Sequence, residues 1–226
     1  MRCNYCQKPI VRNLKVKEIL FPWTLPISEL CADCHKSFVP LKKTGSCPGC
    51  MRQASSFCLD CQAWQRQYPD YEFAHEALFA YENGFAQWLA MYKFTGDYRL
   101  RWTFAQEVRQ ALKKYPGFIL CPIPLAKERW QERGFNQTTG FLQAAGSSYQ
   151  ELLHRTKQDL PQSKKAREER LRLAQPYCLA VSPEKIYGKK ILLVDDVYTT
   201  GRTLFHAAQI LLTAHPAQIR TFSLAR

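Results

Sequence analysis

No apolar run in the chain approaches the ~18 residues that a membrane helix needs. Its first residues, Met-Arg-Cys-Asn-Tyr-Cys, also lack the ~7–15-residue apolar stretch of a secretory signal. There is no low-complexity tail, and no internal repeat beyond a four-residue cysteine motif. Acidic residues are few: 19 Asp and Glu stand against 32 Lys and Arg, a formal net charge of +13 over 226 residues. Such a balance speaks to partners more than to fold, and it points to anionic ones. Hydrophobic residues at 46% and charged residues at 23% argue against disorder. The expectation is a soluble cytoplasmic protein without a membrane span, reaching the inner face of a membrane only through partners.

Beyond residue 61 cysteine almost disappears, leaving Cys121 and Cys178 of the ten. Both lie in apolar, strand-like segments and read as small buried hydrophobes. The other eight form four CxxC pairs: Cys3/Cys6, Cys31/Cys34, Cys47/Cys50 and Cys58/Cys61. Without an export signal, these pairs read as metal thiolates in a reducing compartment rather than disulfides. Two intervening residues let a tight turn aim both sulfurs at one point, as tetrahedral zinc requires. The simplest assignment puts one zinc on Cys3, Cys6, Cys31 and Cys34 and another on Cys47, Cys50, Cys58 and Cys61; interleaved pairing is the alternative. Both give closed, structural sites. About 60 residues with few long apolar runs would hardly close a core alone, so metal binding would supply folding energy. His35, next to Cys34, reads as an exposed side chain. Two such centres, each with a net charge of about −2, would leave the chain near +9, still strongly basic.

Past Tyr68-Pro69-Asp70 the pattern becomes alternating strand and helix. Strands are expected at Glu76–Tyr81, Gly117–Ile123, Lys189–Val194 and Ile219–Leu224. Helices are expected at Phe85–Phe94, Leu100–Leu112, through Phe141–Ala145 and at Thr203–Leu212. This is an α/β arrangement with a mostly parallel sheet and flanking helices, preceded by a small zinc-binding module. The boundaries read as residues 1–68 for the module and 72–226 for the larger domain. Trp102 is expected in the core.

The most informative stretch runs from Ile191 to Leu204, ILLVDDVYTTGRTL. A buried strand leads into Asp195 and Asp196, then into Thr-Thr-Gly-Arg-Thr before a helix. In open parallel sheets, ligands bind beyond the carboxyl ends of the strands. The Thr199–Thr203 loop would present backbone amides and hydroxyls at a helix N-terminus, an anion site. Beside it, two carboxylates suit a vicinal diol, and carboxylates next to phosphates help recruit Mg²⁺. A sugar bearing a phosphate is the ligand these groups describe.

This segment resembles the 5-phosphoribosyl-1-pyrophosphate (PRPP) motif of type I phosphoribosyltransferases. The resemblance implies that Asp195 and Asp196 hold ribose hydroxyls and that Thr199, Thr200, Gly201 and Thr203 hold the 5-phosphate, with Mg²⁺ accompanying PRPP. Pro122-Ile123-Pro124-Leu125 with Arg129, followed by Arg133-Gly134-Phe135-Asn136-Gln137, is similar to the PxPL…R…RGFNQ signature of the ComF family. Lys93-Phe94-Thr95-Gly96-Asp97 resembles the family's K-[YF]-x-G-D, and the CxxC head its double zinc ribbon. The likeness makes Arg129, Arg133, Asn136 and Gln137 candidate pyrophosphate contacts. It also makes Arg155, Gln162, Lys164, Lys165, Arg167 and Arg170 candidates for a flap or a nucleic-acid contact, although Leu173 and Lys165 depart from the family pattern. The segment from Leu153 to Arg172 carries seven Lys/Arg against three acids.

By resemblance, the chain is a DNA-uptake factor of natural transformation. It would handle incoming single-stranded DNA with a ComFA-like ATPase and carry a pocket for PRPP or a related phosphoribosyl ligand. The basic charge and the aromatics Trp102, Trp130 and Phe135 among basic residues agree with phosphate neutralisation and base stacking. The alternative is a catalytic phosphoribosyltransferase acting on an unidentified acceptor. Loss of zinc is expected to unfold the head and spare the larger domain.

Overall fold

The structure, a computed structural model, describes residues 2–11, 16–21, 30–155 and 175–226. Among the described residues the head contains three helices, α1 (Val16–Leu20), α2 (Ala32–Lys36) and α3 (Leu59–Gln67). Its cysteines sit on two kinds of support. Cys3/Cys6 and Cys47/Cys50 are carried by tight turns closed by Gln7 N–H to the Cys3 carbonyl and Met51 N–H to the Cys47 carbonyl, each 2.9 Å. The residue after each turn, Gln7 at φ 61° and Met51 at φ 63°, takes the left-handed conformation that reverses the chain. Cys31 and Cys58 cap the N-termini of α2 and α3 with extended backbone, which sets Cys34 and Cys61 in the first helical turn. Helix N-termini favour thiolates there.

Each set therefore joins one turn to one helix start, and the pairing is sequential. All four sulfurs of a set lie within 4.8 Å of one another. Cys6 Sγ and Cys31 Sγ are 3.7 Å apart, Cys50 Sγ and Cys58 Sγ 3.6 Å. A tetrahedron with metal–sulfur bonds of ~2.3 Å has edges of about 3.8 Å, so both sets fit zinc.

The rest of the chain runs β1 (His75–Phe79), α4 (Asn83–Phe94), a 3₁₀ turn (Tyr98–Trp102), α5 (Ala105–Leu112), β2 (Phe118–Pro122), α6 (Lys127–Arg133) and α7 (Gln137–Ala144). Then come β3 (Leu153–Arg155), β4 (Tyr177–Leu179), β5 (Lys190–Val197), α8 (Arg202–Leu212) and β6 (Gln218–Ala225). Among the described residues the main sheet has the order β1-β6-β5-β2 with parallel pairing throughout, and β3 and β4 form a separate antiparallel pair. Side chains alternate along each strand. Leu192 and Val194 of β5, with Phe222 and Leu224 of β6, join the core under α4, α5 and α7. Ile191, Leu193 and Ile219 join the core under α8. The α/β expectation holds, with helices on both faces.

Three local expectations differ from the structure. Leu100–Leu112 is not one helix; it breaks at Thr103 and Phe104. The Thr103 hydroxyl accepts from Nε1 of the buried Trp88 (3.0 Å), and Phe104 packs edge-on against Phe38, with ring centroids 4.9 Å apart. Cys178 is exposed, because in β4 Tyr177 and Leu179 face the core and the residue between them faces away, and a two-stranded ribbon covers one face. Finally, β5 runs three residues past its expected end. Pairing with β6 persists through Asp195↔Ser223 and Val197↔Ala225, so both acids lie within the strand.

The head has no core of its own among the described residues. Cys3, Leu30 and Phe38 are buried with Phe79, Phe85 and Phe104, while Cys47, Cys50 and Cys61 are buried with Tyr71, Tyr198 and Phe205. Val39–Leu41 also lies antiparallel along the outer edge of β1, through Ala80 N–H to the Val39 carbonyl and Leu41 N–H to the Leu78 carbonyl, each 2.8 Å. That covers an edge that would otherwise invite pairing with another chain. Gly84 lets α4 begin directly against the Ser37 carbonyl, where a Cβ would collide. No helix among the described residues is long and apolar enough to cross a membrane.

Because the cysteine turns wall both cores, removing metal should destabilise the sheet as well as the head, contrary to the separation that domain boundaries alone suggest. Calorimetry with and without a chelator should show one transition at a lower temperature, and metal analysis of the untreated protein should find two zinc ions per chain. A sheet transition unmoved by complete metal loss would contradict the shared core.

Candidate functional site

Adjacent residues on a strand face opposite ways, and this splits the acidic pair at the tip of β5. Asp196 follows Leu192 and Val194 onto the α4/α7 face. It is 5% exposed, its Oδ2 pairs with Lys93 Nζ at 2.8 Å, and it accepts from Gln137 Nε2 at 2.7 Å. Asp195 lies on the α8 side, half-buried, with its Oδ1 accepting the Asp196 backbone N–H at 2.9 Å. Burial, and then the neighbouring Asp196 charge, push the Asp195 carboxyl up to about 8; the Asp196 N–H, Lys93 and Arg155 act in the opposite direction.

Asp195 opens onto a small, solvent-open cavity that it shares with Thr199, Gly201, Arg202 and Thr203. Thr199, Thr200 and Thr203 are exposed, and the Thr200 hydroxyl accepts the Arg202 N–H at 3.5 Å. Gly201 adopts φ 82°, and a Cβ there would overlap the Tyr198 hydroxyl, so glycine is required on both counts. α8 begins at the next residue, and its first amides and macrodipole face the loop. The space is far smaller than the ~300 Å³ of a full ligand pocket.

On the opposite face of β5 lie the residues after β2. α6 ends at Gly134, left-handed at φ 74°, and α7 follows. Arg133 is half-buried with Nε lacking any partner, and its guanidinium lies 5.5 Å from the Phe94 ring centroid. Desolvation lowers its pKa, with the Asp196 charge pulling the other way. Gln137 Oε1 is likewise buried and unpaired. Asn136 is used differently: its side-chain oxygen caps α7 through the Thr138 N–H (2.9 Å), and its amide donates to the Ile123 carbonyl (2.9 Å). Arg129 points to solvent, paired with Glu132 at 2.8 Å. Of the four residues expected at the pyrophosphate, the fold thus gathers Arg133 and Gln137 beside Asp196, locks Asn136 into the loop and leaves Arg129 outside. Arg155 on β3 lies near enough to Asp195 to stabilise its charge. Gln162, Lys164, Lys165, Arg167 and Arg170 fall outside the described residues.

Lys93 is the residue that sequence reasoning left off the site. Its signal was present in Lys93-Phe94-Thr95-Gly96-Asp97, where Asp97 caps the 3₁₀ turn through the Arg99 N–H at 3.2 Å. The same region carries aromatic and basic side chains outward. Phe94 is 71%, Trp102 40% and Trp130 52% exposed, so Trp102 does not join the core as expected. The Arg101 guanidinium lies 4.0 Å from the Tyr98 ring centroid and 5.4 Å from that of Trp102, and Tyr98 in turn packs on Phe135 at 4.8 Å. A chain of ring and guanidinium contacts joins Trp102 to the Arg133 loop.

Comparison with known proteins agrees with this layout. The family described as "Phosphoribosyl transferase domain" matches residues 149–226, which include β5, the threonine loop and α8. The chain is 37% identical over 227 residues to Competence protein ComFC of Streptococcus pneumoniae (strain ATCC BAA-255 / R6), covering 100% of each. It is 34% identical over 211 residues to Competence protein ComFC of Bacillus subtilis (strain 168), covering 89% of this chain and 85% of that one. Competence protein F of Haemophilus influenzae (strain ATCC 51907 / DSM 11121 / KW20 / Rd) is 27% identical, with 87% of this chain and 96% of the relative covered. With identity sustained over the whole length, two four-cysteine sets and a phosphoribosyltransferase domain, the chain belongs to the ComF family of competence proteins.

Proposed function

We propose that this protein acts in DNA uptake, handling incoming single-stranded DNA and carrying a pocket for PRPP or a related phosphoribosyl ligand. The observation that supports the pocket most directly is the cavity at the tip of β5, where Asp195 meets the Thr199–Thr203 loop. In this reading Asp195 accepts the ribose hydroxyls, while the loop amides and the hydroxyls of Thr199, Thr200 and Thr203 hold the 5-phosphate. Arg133 and Gln137, with their unpaired polar atoms, meet the pyrophosphate. Asp196 serves from behind: paired with Lys93 and Gln137, it orients the glutamine rather than touching the sugar. Bound Mg²⁺ would supply charge neutralisation on the pyrophosphate, and Asp195 is the carboxylate of the pair open to hold it through water.

The DNA reading rests on the relatives' role in competence, on the net charge of +13 and on the exposed aromatics beside Arg101 and Arg133. Basic side chains would release counterions from the strand, and Phe94 and Trp102 would stack on bases. A ComFA-like ATPase is the proposed motor, and the cytoplasm the proposed compartment. Transfer of phosphoribose to an acceptor is the second reading, favoured by Arg133, a half-buried cation suited to a departing pyrophosphate. PRPP with a panel of purines and pyrimidines tests it by pyrophosphate release.

The raised Asp195 pKa gives the pocket a pH signature. A carboxyl that is neutral well below about 8 and ionised above accepts hydrogen bonds from a diol better as pH rises. PRPP affinity, measured by calorimetry, should rise up to about tenfold between pH 7 and 9, following the ionised fraction. Asp195→Asn should flatten the profile. The unliganded fold should lose stability as pH rises from about 4 to about 8 and level off above that, since the unfolded carboxyl ionises near its ordinary value and the folded one only near about 8.

Binding of a labelled oligonucleotide should weaken steeply with salt, with a log–log slope of about −0.7 for each phosphate neutralised. Phe94→Ala and Trp102→Ala should each cost about 1–3 kcal/mol of that affinity, while Asp195→Asn leaves it unchanged. Salt-insensitive binding, or none, would count against the DNA reading.

A further inference from the structure

The second cysteine set reaches the threonine loop from behind through two donors. Arg226, which follows β6, donates from Nε to the Cys50 carbonyl (2.9 Å), from one terminal nitrogen to Cys50 Sγ (3.1 Å) and from the other to the Thr199 carbonyl (3.4 Å). Its guanidinium lies 4.9 Å from the Tyr198 ring centroid, and Tyr198 in turn fills the space beneath Gly201. Trp64, one helical turn past Cys61 on α3, donates Nε1–H to the Thr200 carbonyl at 3.0 Å. Its ring stacks on Phe205 of α8, with centroids 4.2 Å apart and planes at 12°.

These contacts determine which way the loop's amides point. In a trans peptide the carbonyl and the next residue's N–H point in opposite directions, and the described chain has no cis bonds. Drawing the Thr199 and Thr200 carbonyls toward the cysteine set therefore turns the Thr200 and Gly201 amides away from it, to the ligand side of the loop. Two successive amides held in one direction form an anion-binding concavity with its reorganisation cost already met. A metal on Cys47, Cys50, Cys58 and Cys61 would fix the Cys50 turn, and with it the carbonyl and the sulfur to which the Arg226 guanidinium donates.

We propose that Arg226 and Trp64 are positioning residues that couple the second four-cysteine centre to the phosphate cradle, so that metal occupancy there sets affinity for a phosphorylated sugar. The affinity part rests on the phosphoribosyl reading of the loop; the coupling part does not. A chain that lost this metal would lose its ligand without any change in the residues lining the cavity.

The test uses the full zinc-loaded chain and a double variant, Arg226→Gln with Trp64→Phe. Zinc content is measured first and is expected to stay at the wild-type level. ¹⁵N relaxation then reads the Thr200 and Gly201 amides, and titration with PRPP and Mg²⁺ reads the pocket. The two order parameters are expected to fall from about 0.85 toward about 0.6, and the PRPP dissociation constant to rise about tenfold. Stripping metal from the wild type should loosen the same two amides. If the amides loosen but wild-type protein binds no PRPP, the coupling stands and the phosphoribosyl reading fails. Amides that stay rigid in the zinc-loaded variant overturn the coupling, whatever PRPP does. Should the double variant not fold, Trp64→Phe alone keeps the ring on Phe205 and removes only the donor, and the Gly201 amide gives the same decision.

Discussion

Four thiolates gathered within 4.8 Å repel one another unless a cation or protons neutralise them, and this chain does so twice. Each gathering fixes a turn and a helix start that could not be held by apolar packing alone, since the head's buried residues lack a core of their own. The first set lies against the aromatic cluster of Phe38, Phe79, Phe85 and Phe104, and the second against Tyr198 and Phe205. The sheet therefore uses the cysteine turns as walls on both faces. Its outer strand β1 is also covered by Val39–Leu41 from the head. Metal chemistry, core packing and protection of the sheet edge are one arrangement here.

The same arrangement reaches the site. The threonine loop is bounded in front by the cavity it shares with Asp195 and behind by Tyr198, Trp64 and Arg226. A loop with three exposed threonines and a left-handed glycine has little to stiffen it locally, so its backbone direction comes from tertiary donors. On the other face of β5, Lys93 and Gln137 converge on Asp196, and Arg133 remains short of a carboxylate partner. A half-buried guanidinium with a buried N–H left unpaired is costly to keep.

Much of this was readable in advance. The CxxC spacing marked the two four-cysteine sets that could hold metal, because two residues between cysteines is a local geometric requirement of a turn or a helix start. Strand–acid–threonine–glycine–helix order named the loop, because a parallel strand feeding a helix places its C-terminal residues at the ligand edge. Lys93 was visible only as part of a motif, with nothing in the sequence to show that its partner is Asp196, 103 positions later. Trp102 and Cys178 depart from the sequence expectation for a related reason: an apolar neighbourhood in sequence does not say which face of a broken helix or a two-stranded ribbon is covered.

What the sequence determined by itself is what short-range covalent geometry dictates: the CxxC pairs, the parallel α/β plan, the position of the threonine loop and the basic charge. What only the tertiary structure decided is direction and partnership. Strand alternation, read with the register of β5 against β6, sent Asp195 to the threonine loop and Asp196 to Lys93, although the two are adjacent in the chain. Folding the head across both faces of the sheet made Cys50 and Thr199 neighbours through Arg226. Pairings between residues far apart in sequence depend on how whole elements pack, and no local pattern encodes them.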